Sequence, residues 1–330
     1  MKRLLIGLIA GLVLAATPVL AEFPEKDLQG IIQWGAGGSA DIIMRSVTPH
    51  AEEVLGRKVV MINRTGGVGA IATKFVMTRP ADGYTLLMGA ENPQLYKIMG
   101  LADVDYADFI PINLLARGVA VLIANKSAPF ETFKEFAAYA QAHPGQLKIG
   151  STGPGGLPAV VASMLSSKVD LPLTSVPYDG EGPAVTALQG SAIDVIPIGL
   201  SAAIHHVKAD RVKALALIDI APHPALPGVP SIVTDYPEFN EYLPWGPFFG
   251  VFVKKGTPEE AVAKLQAAYA EGARHPDFQA LLDQQGYTVM NISGAEAEDF
   301  LKRWQSVTSW LLWEAGGAKS SPEQFGIPRP

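Results

Sequence analysis

The sequence predicts an α/β fold split into two lobes, each a mainly parallel sheet flanked by helices. Three observations predict it. Strand-period and helix-period apolar patterns alternate along the chain, as helix-covered parallel sheets require. The alternation comes in two successive runs. A proline-rich connector then closes the second run and returns the chain to the first.

In the first run, Leu28 to Trp34 reads as a strand and Ala40 to Leu55 as an amphipathic helix. Ile43, Val47, Ala51 and Val54 fall on one side of that helix at helical spacing. Lys58 to Ile62 is a short apolar strand, Ile71 to Thr78 a helix and Tyr84 to Met88 a third strand. Three Ser/Thr-x-x-Glu patterns mark later helix starts: Thr132 with Glu135, Thr257 with Glu260, and Ser293 with Glu296. The second run carries strands at Lys148 to Ser151, Thr174 to Pro177, Ile193 to Ile198 and Val212 to Ile218. Ala221 to Pro230 holds four prolines and reads as the connector. Lobe 1 is therefore expected at residues 22–123 and 227–330, with lobe 2 inserted as 124–226. An inserted domain is tethered by two chain crossings, and two crossings form a hinge.

Residues 1–21 read as a cleavable secretory signal. Lys2 and Arg3 precede an apolar run from Leu4 to Ala16, and Val19-Leu20-Ala21 supplies the cleavage site. The run is short of the ~20 residues that span hydrocarbon. With no cysteine there is no point for lipid attachment and no disulfide framework. A soluble, untethered monomer in the periplasm is the expectation. The signal holds two of the 26 basic residues and none of the 32 acidic ones, so the mature chain is more acidic than the formal net charge of −6. That balance, with no basic cluster, argues against nucleic acid and anionic membrane as partners.

The chemistry sits in glycine-rich turns. Gly35-Ala36-Gly37-Gly38-Ser39 links the first strand to the first helix. Such a turn leaves helix-start amides facing outward at the positive end of the helix dipole, a setting for phosphate or carboxylate. Neither the Lys-Ser/Thr of a phosphate loop nor the third glycine of a dinucleotide loop follows. Taken alone, the turn is equally a plain cap. Ser151-Thr152-Gly153-Pro154-Gly155-Gly156 repeats the device in the inserted lobe, ahead of a helix starting near Pro158. One such turn per lobe could hold an anion from both sides. Asp41, in the first helical turn, is expected to point sideways. Thr65-Gly66-Gly67-Val68-Gly69 reads mainly as a shaped turn. No catalytic constellation is evident. The six histidines show no metal-ligand spacing, thiol chemistry is impossible, and no nucleophile elbow appears.

Together these motifs carry a resemblance. WGAGGSAD (34–41), NRTGGVG (63–69), ADGYTLL (81–87), VPYDG (176–180), Gly182-Pro183-Ala184, ALPGVP (225–230) and Gly256-Thr257-Pro258 resemble, in order and spacing, the substrate-binding proteins of tripartite tricarboxylate transporters, the Bug family. The resemblance covers nearly all of the mature chain. It implies a two-lobed periplasmic-binding (Venus flytrap) fold and a solute-binding role without enzymatic activity, cofactor or metal. It further implies a small organic carboxylate as ligand, held mainly by backbone amides and hydroxyls. The implied partners are the large and small membrane subunits of the transporter. Carried over, the ligand site takes Trp34, Gly37, Gly38 and Ser39 from the first turn. It takes Ser151, Thr152, Gly153 and Gly155 from the second, with Tyr178 from the VPYDG segment.

Five departures alter the rest of the pocket. Ala40 stands where threonine is common. Gly89-Ala90-Glu91-Asn92-Pro93 replaces a hydroxyl-rich segment, which brings Glu91 and Asn92 into the expected site. Gly156-Leu157-Pro158-Ala159 replaces hydroxyls and histidine. Ile198 stands where many relatives carry aspartate, and Phe248 occupies a common tryptophan position with Trp245 just before it. The pocket is expected to be more apolar than is usual. Glu91 either faces solvent or a lysine, or meets a donor at the ligand's far end. A transferase on the same frame and a ligand-sensing partner of a membrane sensor kinase are the competing functional readings.

Overall fold

The computed structural model describes residues 23–36, 38–152, 155–178 and 181–330. The expected signal, Gly37 and Gly153 lie outside the described residues.

Chain order follows the alternation read from the sequence. Lobe 1 opens with β1 (Leu28–Ile32), α1 (Ser39–Leu55), β2 (Val59–Asn63), α2 (Ala70–Met77) and β3 (Thr85–Ala90). A 3₁₀ turn at Asn92–Leu95 runs into α3 (Tyr96–Met99), and β4 (Phe109–Gly118) leads out of the lobe. Lobe 2 contains β5 (Ala120–Asn125), α4 (Phe133–Ala142), β6 (Lys148–Ser151), α5 (Leu157–Lys168) and β7 (Thr174–Pro177). It continues with α6 (Glu181–Gln189), β8 (Val195–Gly199), α7 (Leu200–Lys208) and β9 (Val212–Ile218). Lobe 1 is then completed by β10 (Phe248–Lys254), α8 (Glu259–Arg274), α9 (Pro276–Gln285), β11 (Tyr287–Ile292) and α10 (Gly294–Glu314).

Two sheets result, ordered β11-β4-β10-β3-β1-β2 and β7-β6-β8-β5-β9. The β–α–β stretches pair in parallel: β1 with β2 and β3, and β6 with β7 and β8. The strands next to the crossings pair antiparallel: β10 with β3 and β4, β11 with β4, and β5 with β8 and β9. Both sheets are thus mixed.

The lobe boundaries differ from those expected. The first crossing is at Val119, not Ile123: β4 ends at Arg117-Gly118 in the first sheet and β5 starts at Ala120 in the second, within a stretch that is otherwise apolar from Leu114 to Ala124. The return comes near Leu243, not Ala225–Pro230. Tyr236 and Phe239 pack edge-on against Phe133 of α4, at 5.1 and 6.4 Å between ring centroids, and Ser167 of α5 donates to Tyr242. These aromatic contacts hold the segment on lobe 2.

Helices α1, α8 and α9 bury Ile43, Val47, Leu265, Tyr269 and Phe278 against one face of the first sheet. α6 and α7 cover one face of the second with Val185, Leu188 and Ile204. The remaining faces share one continuous core in which α10 packs on both β4 and α5. The C-terminal helix thus touches both lobes.

Of the three cap patterns, only the first is realised. Thr132 Oγ1 accepts the Glu135 amide at 3.2 Å, while the Glu135 carboxylate takes the Glu131 amide. Thr257 donates its hydroxyl to the Lys254 carbonyl and caps nothing, and Ser293 makes no side-chain cap.

Candidate functional site

Four helix starts from both lobes surround one hollow of about 220 Å³. Ser39 opens α1, Leu157 opens α5, Glu181 opens α6 and Leu200 opens α7; Pro247 and Tyr287 complete the wall. Each of the three helices α1, α5 and α7 has glycine as its N-cap: Gly38, Gly156 and Gly199. None makes a side-chain cap. At α7 the Leu200 amide already donates to the Val119 carbonyl at 2.7 Å, whereas helix-start amides left open at α1 and α5, with the dipoles behind them, favour negative charge.

Asn63 at the end of β2 fixes the first turn. Its Nδ2 donates to the Trp34 carbonyl and to Asp41 Oδ1, each at 2.8 Å. Asp41 also receives Arg45 Nε at 2.8 Å. The acid in the first turn is therefore spent sideways, as expected. Trp34 packs half-buried on the lobe 1 core and contributes its carbonyl to this brace.

At α7 the protein supplies an anion of its own. Glu181 Oε1 accepts the Gly199 amide at 3.1 Å. Burial holds the Glu181 carboxyl above its usual range, and the Gly199 amide pulls it partly back. Nothing in the sequence pattern singled out Glu181, because the contact joins the start of α6 to the end of β8.

A second, smaller cavity of about 20 Å³ adjoins the hollow through Leu157 and Pro247. Glu91 lies here with Trp245, Trp304, Thr308, Leu95 and Gly155. The expectation that Glu91 faces solvent or a lysine does not hold. Its Oε2 is shut off from solvent and has no hydrogen-bond partner. Burial pushes the carboxyl up to about 7, against the pull of its own amide and that of Phe248. Asn92 Oδ1 beside it is likewise buried without a partner.

A buried network presents this carboxylate. Gln33 Oε1 accepts the Ala90 amide at 2.9 Å while its Nε2 donates to Thr73 Oγ1 at 2.8 Å. Tyr106 Oη donates to the Ala90 carbonyl at 2.5 Å, and Tyr96 Oη to the Val68 carbonyl at 2.8 Å. The third glycine cluster serves this network. Gly69 opens α2 at φ +86°, and a Cβ there would come within 2.9 Å of the Tyr96 hydroxyl.

The other expected residues divide. Trp245 lines the small cavity, its Nε1 donating to Thr308 Oγ1 at 2.9 Å. The Phe248 ring is fully buried among Tyr106, Phe300 and Trp304; only its amide reaches Glu91. Ile198 is also fully buried, packed with Ile196 toward α6 and α7. The twofold period of β8 sends its side chain into the core and leaves Gly199 for the cleft. Tyr178 packs on the same core, its amide held by the Ser151 carbonyl at 2.8 Å. Ser151 lines a different groove of about 860 Å³, between β6, α5 and the end of α10, and Thr152 is half-buried next to it.

The fold also brings His50, His275 and Asp277 within reach of one another. The imidazoles stack at 3.5 Å and 11°, so their in-plane lone pairs run side by side and do not converge on one ion.

Two lobes, two crossings and helix starts facing one cleft define a bilobal solute-binding protein. The family model described as "Tripartite tricarboxylate transporter family receptor" matches residues 43–309, and the chain belongs to that family. A UPF0065 protein encoded in the tcbD–tcbE intergenic region of Pseudomonas sp. is 29% identical over 317 residues, 93% of each chain. A TctC solute binding protein from Polaromonas superposes with a TM-score of 0.77 at 25% identity, over 89% of this chain and 99% of that one. The MatC protein of Rhodopseudomonas palustris, with bound malate, gives 0.67 at 26% identity, over 87% and 100%.

Proposed function

We propose that this protein captures a small carboxylate-bearing solute between its lobes in the periplasm. It then hands the solute, chemically unchanged, to the large and small membrane subunits of a tripartite tricarboxylate-type transporter. The observation that carries the reading is the convergence of α1 and α5, one from each lobe, on one hollow, each start capped by glycine and by no side chain, while at α7 Glu181 already takes the Gly199 amide. No Lys, Arg or His lines that hollow or the adjoining cavity among the described residues. An anion there is held by backbone dipoles, which discriminate by geometry and not by net charge. The hollow is smaller than the ~300–1,000 Å³ typical of drug-sized ligands, which fits a compact metabolite. The malate held by MatC supports the same ligand class.

Calorimetry against mono- and dicarboxylates and amino acids tests this. At least one carboxylate is expected to bind. Ser39→Ala is expected to weaken it by about 1–2 kcal/mol, the usual loss for a hydrogen bond to a charged group. Gly38 has φ −78° and ψ 167°, angles any residue accepts, so Gly38→Val should fold and still block the anion's place. Affinities unmoved by both substitutions would put the site elsewhere.

A further inference from the structure

We infer that the solute is an amino-carboxylate, whose carboxylate sits at the helix starts and whose primary ammonium enters the small cavity against Glu91 Oε2. This deepens the solute-capture reading and rests on it.

The hydrogen-bond accounting of the cavity decides the chemistry. Its side-chain donors are already used inside the protein. Trp245 Nε1 donates to Thr308 Oγ1, Thr308 donates to the Trp304 carbonyl at 2.8 Å, and Trp304 Nε1 donates to the Gly246 carbonyl at 2.8 Å. The polar atom left over is an acceptor, Glu91 Oε2, buried and without a partner. Buried acceptors without partners are costly, and a donor entering beside this one removes that cost. A second carboxylate on the ligand would meet ionised Glu91 at like charge and away from water, and could be held only by the protonated form, with uptake of a proton in place of release.

Size and surroundings narrow the donor. About 20 Å³ is little more than one water-sized space, enough for a –NH₃⁺ group and too small for a guanidinium or a quaternary amine. The Trp245 and Trp304 rings lie parallel, 6.2 Å apart between centroids, and both border the cavity. Indole faces attract cations. The titratable neighbours are the Tyr96 and Tyr106 phenols, which burial raises and keeps neutral, and no cationic side chain lines the space. Glu91, at about 7 in the empty cleft, ionises when the ammonium arrives and releases a proton.

Calorimetry on matched pairs tests the inference: L-alanine with propionate, 4-aminobutyrate with butyrate, and succinate as the dicarboxylate. In the wild type an amine-bearing member is expected to bind at least tenfold tighter than its plain partner. Its binding heat should vary with the ionisation heat of the buffer, reporting the released proton. Glu91→Gln should cut that affinity at least tenfold, abolish the proton release, and leave plain carboxylates unchanged or tighter. A thermal melt of the variant checks that it folds. Plain carboxylates binding as tightly as their amine partners would overturn the inference, as would an affinity ratio unchanged in Glu91→Gln. If neither class binds, the capture reading itself fails, and this inference with it.

Discussion

At neutral pH the Glu91 carboxyl of the empty protein divides between protonated and ionised forms, since burial holds it at about 7. In the unfolded chain the same group titrates near its ordinary 4.5. Between those values the folded state keeps a proton that the unfolded state has lost. Stability therefore rises as pH falls from about 7 toward 4.5, by up to about 3 kcal/mol from this group. Urea midpoints at pH 5 and 7.5 should differ less in Glu91→Gln than in the wild type. Identical pH dependence in the two would mean the group does not titrate there. Residues of this kind were only partly legible. Gly38 and Ser39 announced themselves because a glycine turn entering a helix is a local pattern. Glu91 stood out, but its burial against Trp245, Trp304 and Thr308 joins β3 to segments far along the chain. Ile198 misled because alternation along β8 decides which neighbour faces the cleft, and the register is set by pairing with β5.

The end of β3 is an element held from both sides, through the Ala90 amide and carbonyl. Gln33→Leu would leave the Ala90 amide unsatisfied in a site closed to water. Its Nε2 partner, Thr73, keeps a bond to the Gly69 carbonyl at 3.0 Å. The expected cost is about 1–3 kcal/mol, with weaker ligand binding because Glu91 is no longer aimed. Denaturant unfolding and calorimetry together check both effects, and unchanged values for both would remove the network's positioning role. The β–α–β elements of both runs were legible from periodicity and the cap patterns, whereas β4, β5, β10, β11 and α9 were not. The caps themselves were less legible: Thr257 carries the same pattern as Thr132, yet the turn before α8 takes its hydroxyl to the Lys254 carbonyl. A cap pattern states what a side chain can do, and the preceding backbone decides whether it does.

In the whole molecule the two crossings lie side by side. Arg117, one residue before Gly118, donates to Asp219 at 2.6 Å and to the Trp245 carbonyl at 2.8 Å, and all three are buried. Gly246 packs so closely that a Cβ would lie 2.0 Å from the Gly118 carbonyl oxygen. These contacts hold the two crossings together. Each lobe holds only part of the amide set, so ligand should favour the closed arrangement. Small-angle scattering should show a smaller radius of gyration at saturating ligand, and an unchanged radius would argue against hinge closure. The two-lobe plan was legible from the doubled alternation. The crossing points were less so: Arg117-Gly118 is a single break in an otherwise apolar stretch, and the return is set by aromatic contacts between segments far apart in the chain.

The place of β10 has a further consequence, for the order in which a growing chain can fold. β10 lies between β3 and β4 and pairs with both. It is made only after all five strands of the second sheet. A nascent chain that has reached β9 holds every strand of lobe 2 in one stretch, so that lobe can form as a unit. Until Phe248–Lys254 emerges, β4 has no partner linking it to β1, β2 and β3, and that sheet stays open along one edge. The lobe that begins first at the N-terminus is the lobe that finishes last.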